Sequence, residues 1–257
     1  MKQVAFFDLD NTMVRGSSLF YFARQLMAEG LLRRRTVACF AILEARFVLR
    51  RRESAEDRDR VAANALAMVR GHSATEVNAL CTRIAEPLIG ERLVPATLQA
   101  LRKHQAQGAE TWLVTASPIE LAGAIAAGLG MTGAIATRPD IVDGRYSGTL
   151  NHGIIHGPRK AAAIVGLALD RGLDLAGAFA YSDSENDVPM LSLTGHAGVV
   201  NANRRLRRIA QARGWSILPA CSFGCALAAE DAPVVTAEEA AGVETAAALA
   251  AMVLQRL

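Results

Sequence analysis

The sequence has few cysteines, few aromatic residues and little net charge. Four cysteines among 257 residues do not make a disulfide framework in a chain of this length, which favours a reducing, cytoplasmic environment. A net charge of +3 is too small to indicate nucleic acid as a partner. No uninterrupted apolar run reaches membrane-spanning length, and no signal pattern precedes the first apolar segment. The sequence therefore predicts a cytoplasmic protein that neither spans a membrane nor binds nucleic acid.

Hydrophobic residues make up 51% of the chain, which is enough for a sizeable core. Short apolar segments alternate with helical ones in the second half of the sequence. We predict strands at residues 4–7, 111–114, 133–137, 178–181 and 197–200, a hairpin at 141–150 and an edge strand at 216–218. Strands and helices that alternate at this spacing indicate an α/β fold with a doubly wound parallel sheet.

Residues 14–90 differ from this pattern because they are helical throughout, with helices predicted at 17–29 and 36–49. The second helix is apolar on all sides and lies between arginine clusters. It forms the centre of a small bundle or, alternatively, a surface that approaches anionic lipid. We therefore expect an α/β core at residues 1–13 and 91–220 and a helical insert at 14–90. An Ala-rich extension at 221–257 packs on the core or on another subunit, and the oligomeric state stays open.

Two carboxylates, Asp8 and Asp10, follow the first predicted strand directly. In an extended chain, residues two apart point to the same side, so both can face one crevice at the carboxyl end of the strand. Close carboxylates repel unless a cation or a shared proton offsets them. The pair therefore suits a Mg²⁺ site in which one Asp is a nucleophile and the other an acid and base.

Further polar residues lie at the ends of later strands and at one helix start. Thr115 follows the second strand, Lys160 begins a helix after a Gly-Pro turn, and Asp183 and Asp187 follow a late strand. A hydroxyl, an ammonium and several carboxylates are the groups that phosphoryl transfer requires, because the transferred group spreads negative charge over its oxygens.

These residues form four motifs that resemble those of haloacid dehalogenase superfamily phosphatases, in the branch that contains phosphoserine phosphatase. The first is Phe-Phe-Asp8-Leu-Asp10-Asn-Thr12, and the second is Trp-Leu-Val-Thr115-Ala-Ser. Lys160 matches the third motif, and Tyr-Ser-Asp183-Ser-Glu-Asn-Asp-Val-Pro-Met matches the fourth. They cover about residues 1–200 in the family's order and spacing, with the helical insert where the family carries its cap.

The resemblance implies a role for each matching residue. Asp8 becomes an aspartyl phosphate, while Asp10 protonates the leaving alcohol and then activates water. The remaining implied positions fall into three groups: phosphate-binding Thr115, Ala116, Lys160 and Asn186; Mg²⁺-binding Asp8, Asp10 (through its backbone carbonyl) and Asp183; and supporting Thr12, Ser117 and Asp187. The family therefore implies a Mg²⁺-dependent phosphomonoester hydrolase that acts on a small phosphate ester.

The sequence departs from phosphoserine phosphatases at Ser17, which stands where those enzymes carry a Glu that receives the substrate ammonium group. Three interpretations follow. The first is a phosphatase for a small metabolite such as phosphoserine, histidinol phosphate or a sugar phosphate. The second is a phosphatase for a lipid-like phosphate of the lysophosphatidate type, with contact to a membrane surface. The third is a non-catalytic phosphate-sensing module, which the presence of Asp10 disfavours.

Overall fold

The computed structural model describes residues 3–29, 69–150 and 153–219. Its strands and helices follow the chain in this order: β1 (Val4–Phe7), α1 (Ser18–Ala28), α2 (Ala74–Glu91), α3 (Pro95–Ala106), β2 (Glu110–Pro118), α4 (Ile119–Gly128), β3 (Gly133–Thr137), β4 (Ile141–Val142), β5 (Arg145–Tyr146), α5 (Pro158–Arg171), β6 (Phe179–Ser182), α6 (Val188–Leu191), β7 (His196–Val199), α7 (Arg204–Arg213) and β8 (Ser216–Ile217). A 3₁₀ turn, Glu185–Asp187, precedes α6. The helix predicted at 36–49 and the extension at 221–257 lie outside the described residues.

Six of the strands form one sheet in the order β3-β2-β1-β6-β7-β8, and every neighbouring pair is parallel. The helices α3, α4, α5 and α7 lie between successive strands of this sheet in the sequence. The α/β fold with a parallel sheet is therefore confirmed. Because β1 pairs with β2 on one side and β6 on the other, the first strand of the chain lies in the middle of the sheet.

The two faces of the sheet bury separate hydrophobic clusters, and β1 contributes to both. Ala5 and Phe7 belong to the cluster on one face, whereas Val4 and Phe6 belong to the other. All four side chains are fully buried. This division follows from the alternation of side chains along a strand, and burial on both faces explains why the strand reads as an uninterrupted apolar run.

The second strand is longer than the sequence predicts. We placed its end at residue 114, but β2 continues to Pro118, with a shift of register between Val114 and Pro118 in its pairing with β3. The Thr137 hydroxyl on β3 donates a hydrogen bond to the Ala116 carbonyl at 2.7 Å. This side-chain contact holds the segment extended where the regular ladder is interrupted.

Helix α2 connects the end of the helical insert to the core. It buries one stripe, formed by Val77, Leu80, Cys81, Ile84, Ala85 and Leu88, at the spacing of an amphipathic helix. The stripe lies in the same hydrophobic cluster as Leu121 and Ile125 of α4 and Phe7 of β1. The boundaries of the insert stay a prediction, because about half of it, residues 30–68, lies outside the described residues.

The short hairpin of β4 and β5 turns at Asp143 and Gly144, which both have positive φ angles, of 50° and 73°. Two successive residues with positive φ make the tight turn that matches the twist of paired strands. The hairpin lies against the start of α2, since the Gly71 N–H donates to the Tyr146 carbonyl at 2.8 Å and the Ala74 N–H to the Gly144 carbonyl at 2.9 Å. Within the described segments, no helix is long and apolar enough to cross a membrane.

His104 on α3 is a titratable side chain inside this core, with 3% of its surface exposed. Its Nε2 atom lies 2.9 Å from the Tyr181 hydroxyl, while its Nδ1 atom is buried without a hydrogen-bond partner. The ring packs against Phe7 and Phe179. Burial, assisted by the nearby charge of Lys103, lowers the pKa of His104 from its ordinary value of 6.5.

This environment predicts a pH-dependent contribution to stability. Near pH 6.5 the unfolded chain binds more protons at residue 104 than the folded protein does. Protonation therefore favours the unfolded chain, and the free energy of unfolding falls as the pH drops below that value. In urea titrations from about pH 7.5 to about pH 5.5, we expect the free energy of unfolding to fall more steeply for the wild type than for His104→Gln. Equal pH dependence in the two proteins would contradict a neutral, buried His104.

Candidate active site

Asp8 lies directly after β1, at the carboxyl edge of the sheet. Its backbone N–H donates to the Tyr181 carbonyl at 3.0 Å, which extends the pairing of β1 with β6 by one residue. The residue is 6% exposed. The sheet therefore fixes the backbone of Asp8 and holds its carboxylate in a buried position near the middle of the edge.

A tight turn follows Asp8 and brings Thr12 back to it. The Leu9 carbonyl accepts hydrogen bonds from the N–H groups of Thr12 at 3.3 Å and Met13 at 2.9 Å. Asn11 has a φ of 55°, a left-handed conformation that asparagine adopts more readily than most residues. The turn allows the Thr12 hydroxyl to donate a hydrogen bond to Asp8 Oδ2 at 2.9 Å.

Lys160 binds the other oxygen of Asp8. Helix α5 begins at Pro158, after Gly157 with a φ of 52°, and Lys160 lies in its first turn. Its Nζ atom is 2.5 Å from Asp8 Oδ1 and 2.8 Å from Asp187 Oδ2. The side chain is almost completely buried, so the ammonium is held between two carboxylates away from water.

The end of β6 supplies the remaining carboxylates of this group. The Ser182 hydroxyl donates to Asp187 Oδ2 at 2.7 Å, which fixes the carboxylate that faces Lys160. The Asp183 N–H donates to the Thr12 hydroxyl oxygen at 3.0 Å. The same hydroxyl oxygen lies 3.4 Å from Asp183 Oδ1. Thr12 therefore links the ends of β1 and β6.

The group contains more negative charge than Lys160 offsets. Burial, followed by the charges of Asp8 and Asp187, raises the pKa of Asp183 to about 8. Burial also raises the pKa of Asp8 to about 6, although Lys160 acts in the opposite direction. For Lys160, burial alone lowers the pKa, but Asp8 and Asp187 together raise it above its ordinary value. A cation beside Asp8 and Asp183 would relieve the repulsion between these carboxylates.

Asp10 lies apart from this ion pair and is held by a different element. Its Oδ1 atom accepts a hydrogen bond at 2.8 Å from the N–H of Ser18, the first residue of α1. The Ser18 hydroxyl lies 2.6 Å from the Ser117 hydroxyl, so Asp10, α1 and β2 are connected. Burial raises the pKa of Asp10, whereas the hydrogen bonds from Ser18 lower it, and the net shift is upward.

Thr115 to Ser117 lie in the irregular part of β2. Thr115 is 2% exposed, and its hydroxyl oxygen accepts the Ser117 N–H at 3.1 Å. Ala116, between them, is exposed. The two hydroxyl residues therefore face inward while the chain between them faces outward.

The structure brings most of the predicted residues together in two groups. Direct contacts join Asp8, Thr12, Lys160, Asp183 and Asp187, and a second set joins Asp10 to Ser117 through Ser18. Asn186 instead donates its backbone N–H and side-chain amide to the Ser184 hydroxyl at 3.2 and 3.3 Å. The roles of all these residues stay predictions, as does the metal-binding assignment.

Two contributing residues, Ser18 and Ser182, were not predicted. Ser182 carries a usable signal, because it shares a face of β6 with the buried Ala180 and is followed by the motif that contains Asp183. Ser18 has no such signal in the sequence, because its hydrogen bond to Asp10 depends on where α1 begins relative to the turn that follows β1. Local sequence thus identified the charged groups better than the hydroxyls that orient them.

Comparisons with known proteins agree with the motifs. Residues 5–192 match the model of the haloacid dehalogenase-like hydrolase family. Phosphoserine phosphatase SerB1 from Mycobacterium tuberculosis H37Rv is 43% identical over 213 residues, which cover 83% of this chain and 69% of that protein. The match with the family model contains every predicted catalytic, phosphate-binding and metal-binding position.

Solved structures show the same fold. A protein of unknown function from Bordetella pertussis Tohama I superposes with a TM-score of 0.74 at 30% identity, over 85% of this chain and 99% of that one. The phospho-aspartyl intermediate analogue of a phosphoserine phosphatase superposes with a TM-score of 0.52 at 17% identity, over 84% of this chain and 91% of that one. At that identity the second likeness is one of fold.

The order of the four motifs, the parallel sheet that carries them and the similarity to these proteins lead to one conclusion. The family predicted from the motifs is confirmed: the chain belongs to the haloacid dehalogenase-like hydrolases and is a phosphatase of that family.

Proposed function

We propose that this phosphatase is a Mg²⁺-dependent phosphomonoester hydrolase that forms an aspartyl phosphate on Asp8 and acts on a small phosphorylated metabolite. The observation that carries the proposal is the environment of the Asp8 carboxylate. One of its oxygens is bound by Lys160 and the other by Thr12, which orients the group at the edge of the sheet where α/β proteins bind ligands.

In the first step, an oxygen of Asp8 attacks the phosphorus atom of the substrate. The bond from phosphorus to the ester oxygen breaks, and Asp10 gives its proton to the departing alkoxide to form the alcohol. The raised pKa of Asp10 supports this role, because it increases the protonated fraction before the step. Lys160 and the Thr115 segment bind the phosphoryl oxygens and offset their charge.

In the second step, Asp10 accepts a proton from water as the water oxygen attacks the phosphorus. The bond from phosphorus to Asp8 breaks, which releases phosphate and restores the carboxylate. The same residue serves as acid and then as base, since the two steps are the reverse of each other in their proton transfers. The hydrogen bond from the Ser18 N–H to Asp10 keeps the carboxyl group oriented through both.

The residues that would hold Mg²⁺ are Asp8, Asp183 and the backbone carbonyl of Asp10. In residues 3–29, 69–150 and 153–219, no group of three or more His, Cys, Asp or Glu side chains is arranged to hold a metal ion. The proposed set instead uses two side chains and one carbonyl, all of them the hard oxygen donors that Mg²⁺ prefers. When bound, the ion supplies positive charge that aligns the phosphoryl group and stabilises charge in the transition state.

The helical insert at residues 14–90 is proposed to act as a cap over this site, and residues 221–257 as an extension outside the core. Helix α1 supports the first assignment, because its first residue binds Asp10 directly. A cap that orients the acid also lies on the leaving-group side of the phosphorus, where it selects among esters. The proposed partner is therefore a small phosphate ester, with no nucleic acid involved.

The nucleophile is tested by Asp8→Asn. We expect phosphate release from p-nitrophenyl phosphate to fall by roughly a thousandfold or more, because an amide cannot form the intermediate. Asp170→Asn is the matched control, since Asp170 lies on the exposed face of α5. Retention of activity in Asp8→Asn, with normal activity in the control, would exclude Asp8 as the nucleophile.

The two roles of Asp10 are separated by Asp10→Asn and p-nitrophenyl phosphate. Nitrophenolate leaves without a proton, so we expect a rapid burst of about one nitrophenolate per protein, followed by slow turnover because the intermediate is no longer hydrolysed. Alkyl phosphates should show no burst. Mass spectrometry of the quenched protein would locate the phosphoryl group on the peptide that contains Asp8. Normal steady-state turnover in this variant would show that another group acts as acid and base.

The metal assignment is tested by chelation and by Asp183→Asn. Treatment with EDTA should abolish phosphate release, and added Mg²⁺ should restore it. In Asp183→Asn we expect the Mg²⁺ concentration for half-maximal activity to rise by about tenfold or more, since one charged ligand is lost. Asp170→Asn should respond to Mg²⁺ as the wild type does. An unchanged Mg²⁺ response in Asp183→Asn would place the ion elsewhere.

A further inference from the structure

A side chain that follows β7 contacts the turn that carries Asp10. The Asn201 side chain donates a hydrogen bond from Nδ2 to the backbone carbonyl of Asn11 at 2.8 Å. The two residues are 190 positions apart in the sequence. They meet because β1 and β7 are parallel strands of one sheet, with β6 between them, and therefore end at the same edge. Asn201 thus binds the residue directly after the proposed acid.

The backbone on both sides of Asn201 is fixed by regular structure. The Val200 N–H donates to the Ser182 carbonyl at 3.1 Å, which extends the pairing of β7 with β6. Asn203 then caps α7, because its side chain accepts hydrogen bonds at 2.9 Å from two N–H groups of the first turn. A strand end and a capped helix therefore hold the segment from which the Asn201 amide reaches the turn after β1.

Asn11 connects this contact to the chain that leads into α1. Its Oδ1 atom accepts the N–H of Gly16 at 3.0 Å, and the N–H of Ser18 donates to Asp10 Oδ1 at 2.8 Å. Two hydrogen bonds thus close residues 10–18 into a loop, which we call the acid loop. The acid loop is tied to the end of β7 at the Asn11 carbonyl.

The backbone conformation of Asn201 also indicates a role for its side chain. In the described part of the chain, three residues other than glycine have a positive φ: Asn11 at 55°, Asp143 at 50° and Asn201 at 48°. Glycine adopts this conformation without the steric cost that a side chain brings. Asn11 and Asn201 both keep a side chain at that cost, and both side chains form a hydrogen bond to the acid loop. Such backbone conformations are concentrated at functional sites.

We propose that Asn201 is a positioning residue for Asp10 and acts through its hydrogen bond to the Asn11 carbonyl. This inference rests on the proposed function, because it takes Asp10 as the group that protonates the leaving alcohol. The Asn201 amide orients the peptide after Asn11, and Asn11 joins that peptide to the one it shares with Asp10. Residues 13–15 have a separate pairing with residues 92–94, so loss of the amide misdirects the acid without unfolding the acid loop.

The test uses two esters that differ in their need for a proton. One is the alkyl phosphate that the wild type hydrolyses fastest, whose alkoxide must be protonated, and the other is p-nitrophenyl phosphate, whose nitrophenolate leaves without a proton. Asn201→Gly keeps the positive φ and removes the amide. In this variant we expect kcat/KM for the alkyl ester to fall by about tenfold, because a small misplacement of a catalytic group slows its step steeply. For p-nitrophenyl phosphate, kcat/KM should change by less than about twofold, because the acid is not needed before nitrophenolate leaves.

The same variant separates kcat from KM with p-nitrophenyl phosphate. Asp10 also activates water in the second step, so a misdirected Asp10 slows hydrolysis of the aspartyl phosphate. Any fall in kcat should then be matched by an equal fall in KM, because the intermediate accumulates. A merely structural defect reduces the amount of folded enzyme, which lowers kcat and leaves KM unchanged. A fall in kcat at constant KM would therefore overturn the inference.

Two further variants control for the backbone and for folding. Asp143→Gly introduces glycine at an exposed residue with positive φ in the hairpin and should behave as the wild type with both esters. Asn201→Asp keeps the shape of the side chain and its tolerance of positive φ, but it places an oxygen against the Asn11 carbonyl. It should reproduce the loss with the alkyl ester, and it replaces Asn201→Gly if the melting temperature shows that the glycine variant unfolds. Wild-type kcat/KM for the alkyl ester in the folded Asn201 variants would overturn the inference, as would an equal loss in Asp143→Gly.

Asp10→Asn, assayed beside these variants, separates the failure of this inference from that of the proposed function. If Asp10→Asn loses activity with the alkyl ester and the Asn201 variants do not, Asn201 has no positioning role and the proposed mechanism stands. If Asp10→Asn hydrolyses both esters as the wild type does, Asp10 is not the acid, and the mechanism and this inference fail together. The same conclusion follows if the wild type hydrolyses neither class of ester.

Discussion

The buried ammonium of Lys160 constrains the structure around the active site. A charge inside a protein is tolerated only where opposite charges and hydrogen bonds compensate for lost hydration. Lys160 finds both partners at strand ends that are far apart in sequence, Asp8 after β1 and Asp187 after β6. The pairing of β1 with β6 and the position of α5 must therefore all be correct for any one of these charges to be stable.

The proposed nucleophile, Asp8, and the proposed acid, Asp10, are held by different parts of the molecule. The Asp8 carboxylate is fixed by groups of the core, whereas Asp10 is fixed by the first N–H of α1. The contact of Ser18 with Ser117 then ties α1 to β2. The orientation of the proposed acid therefore depends on the position of α1, whereas the contacts of Asp8 with Lys160 and Thr12 do not involve that helix.

The sequence was sufficient for the fold class because the apolar strands alternate with helices at a regular spacing, and β1 is apolar at every position because it is buried on both faces. The spacing of strands and helices does not determine the order of the strands in the sheet. The clustering of Asp8, Lys160 and Asp183 was nevertheless predictable, because the four motifs identify these residues. The extension of β2 to Pro118 was missed because it depends on the Thr137 side chain, a contact between strands.

The central position of β1 in the sheet also has a consequence for folding during synthesis on the ribosome. Strand β1 is synthesised long before its neighbour β6. The pairing of Ala5 with Phe179 therefore has to wait until most of the described chain has been made. At typical elongation rates this delay is on the order of ten seconds. Until β6 is made, Val4 to Phe7 can pair with β2 but lacks the neighbour on its other side.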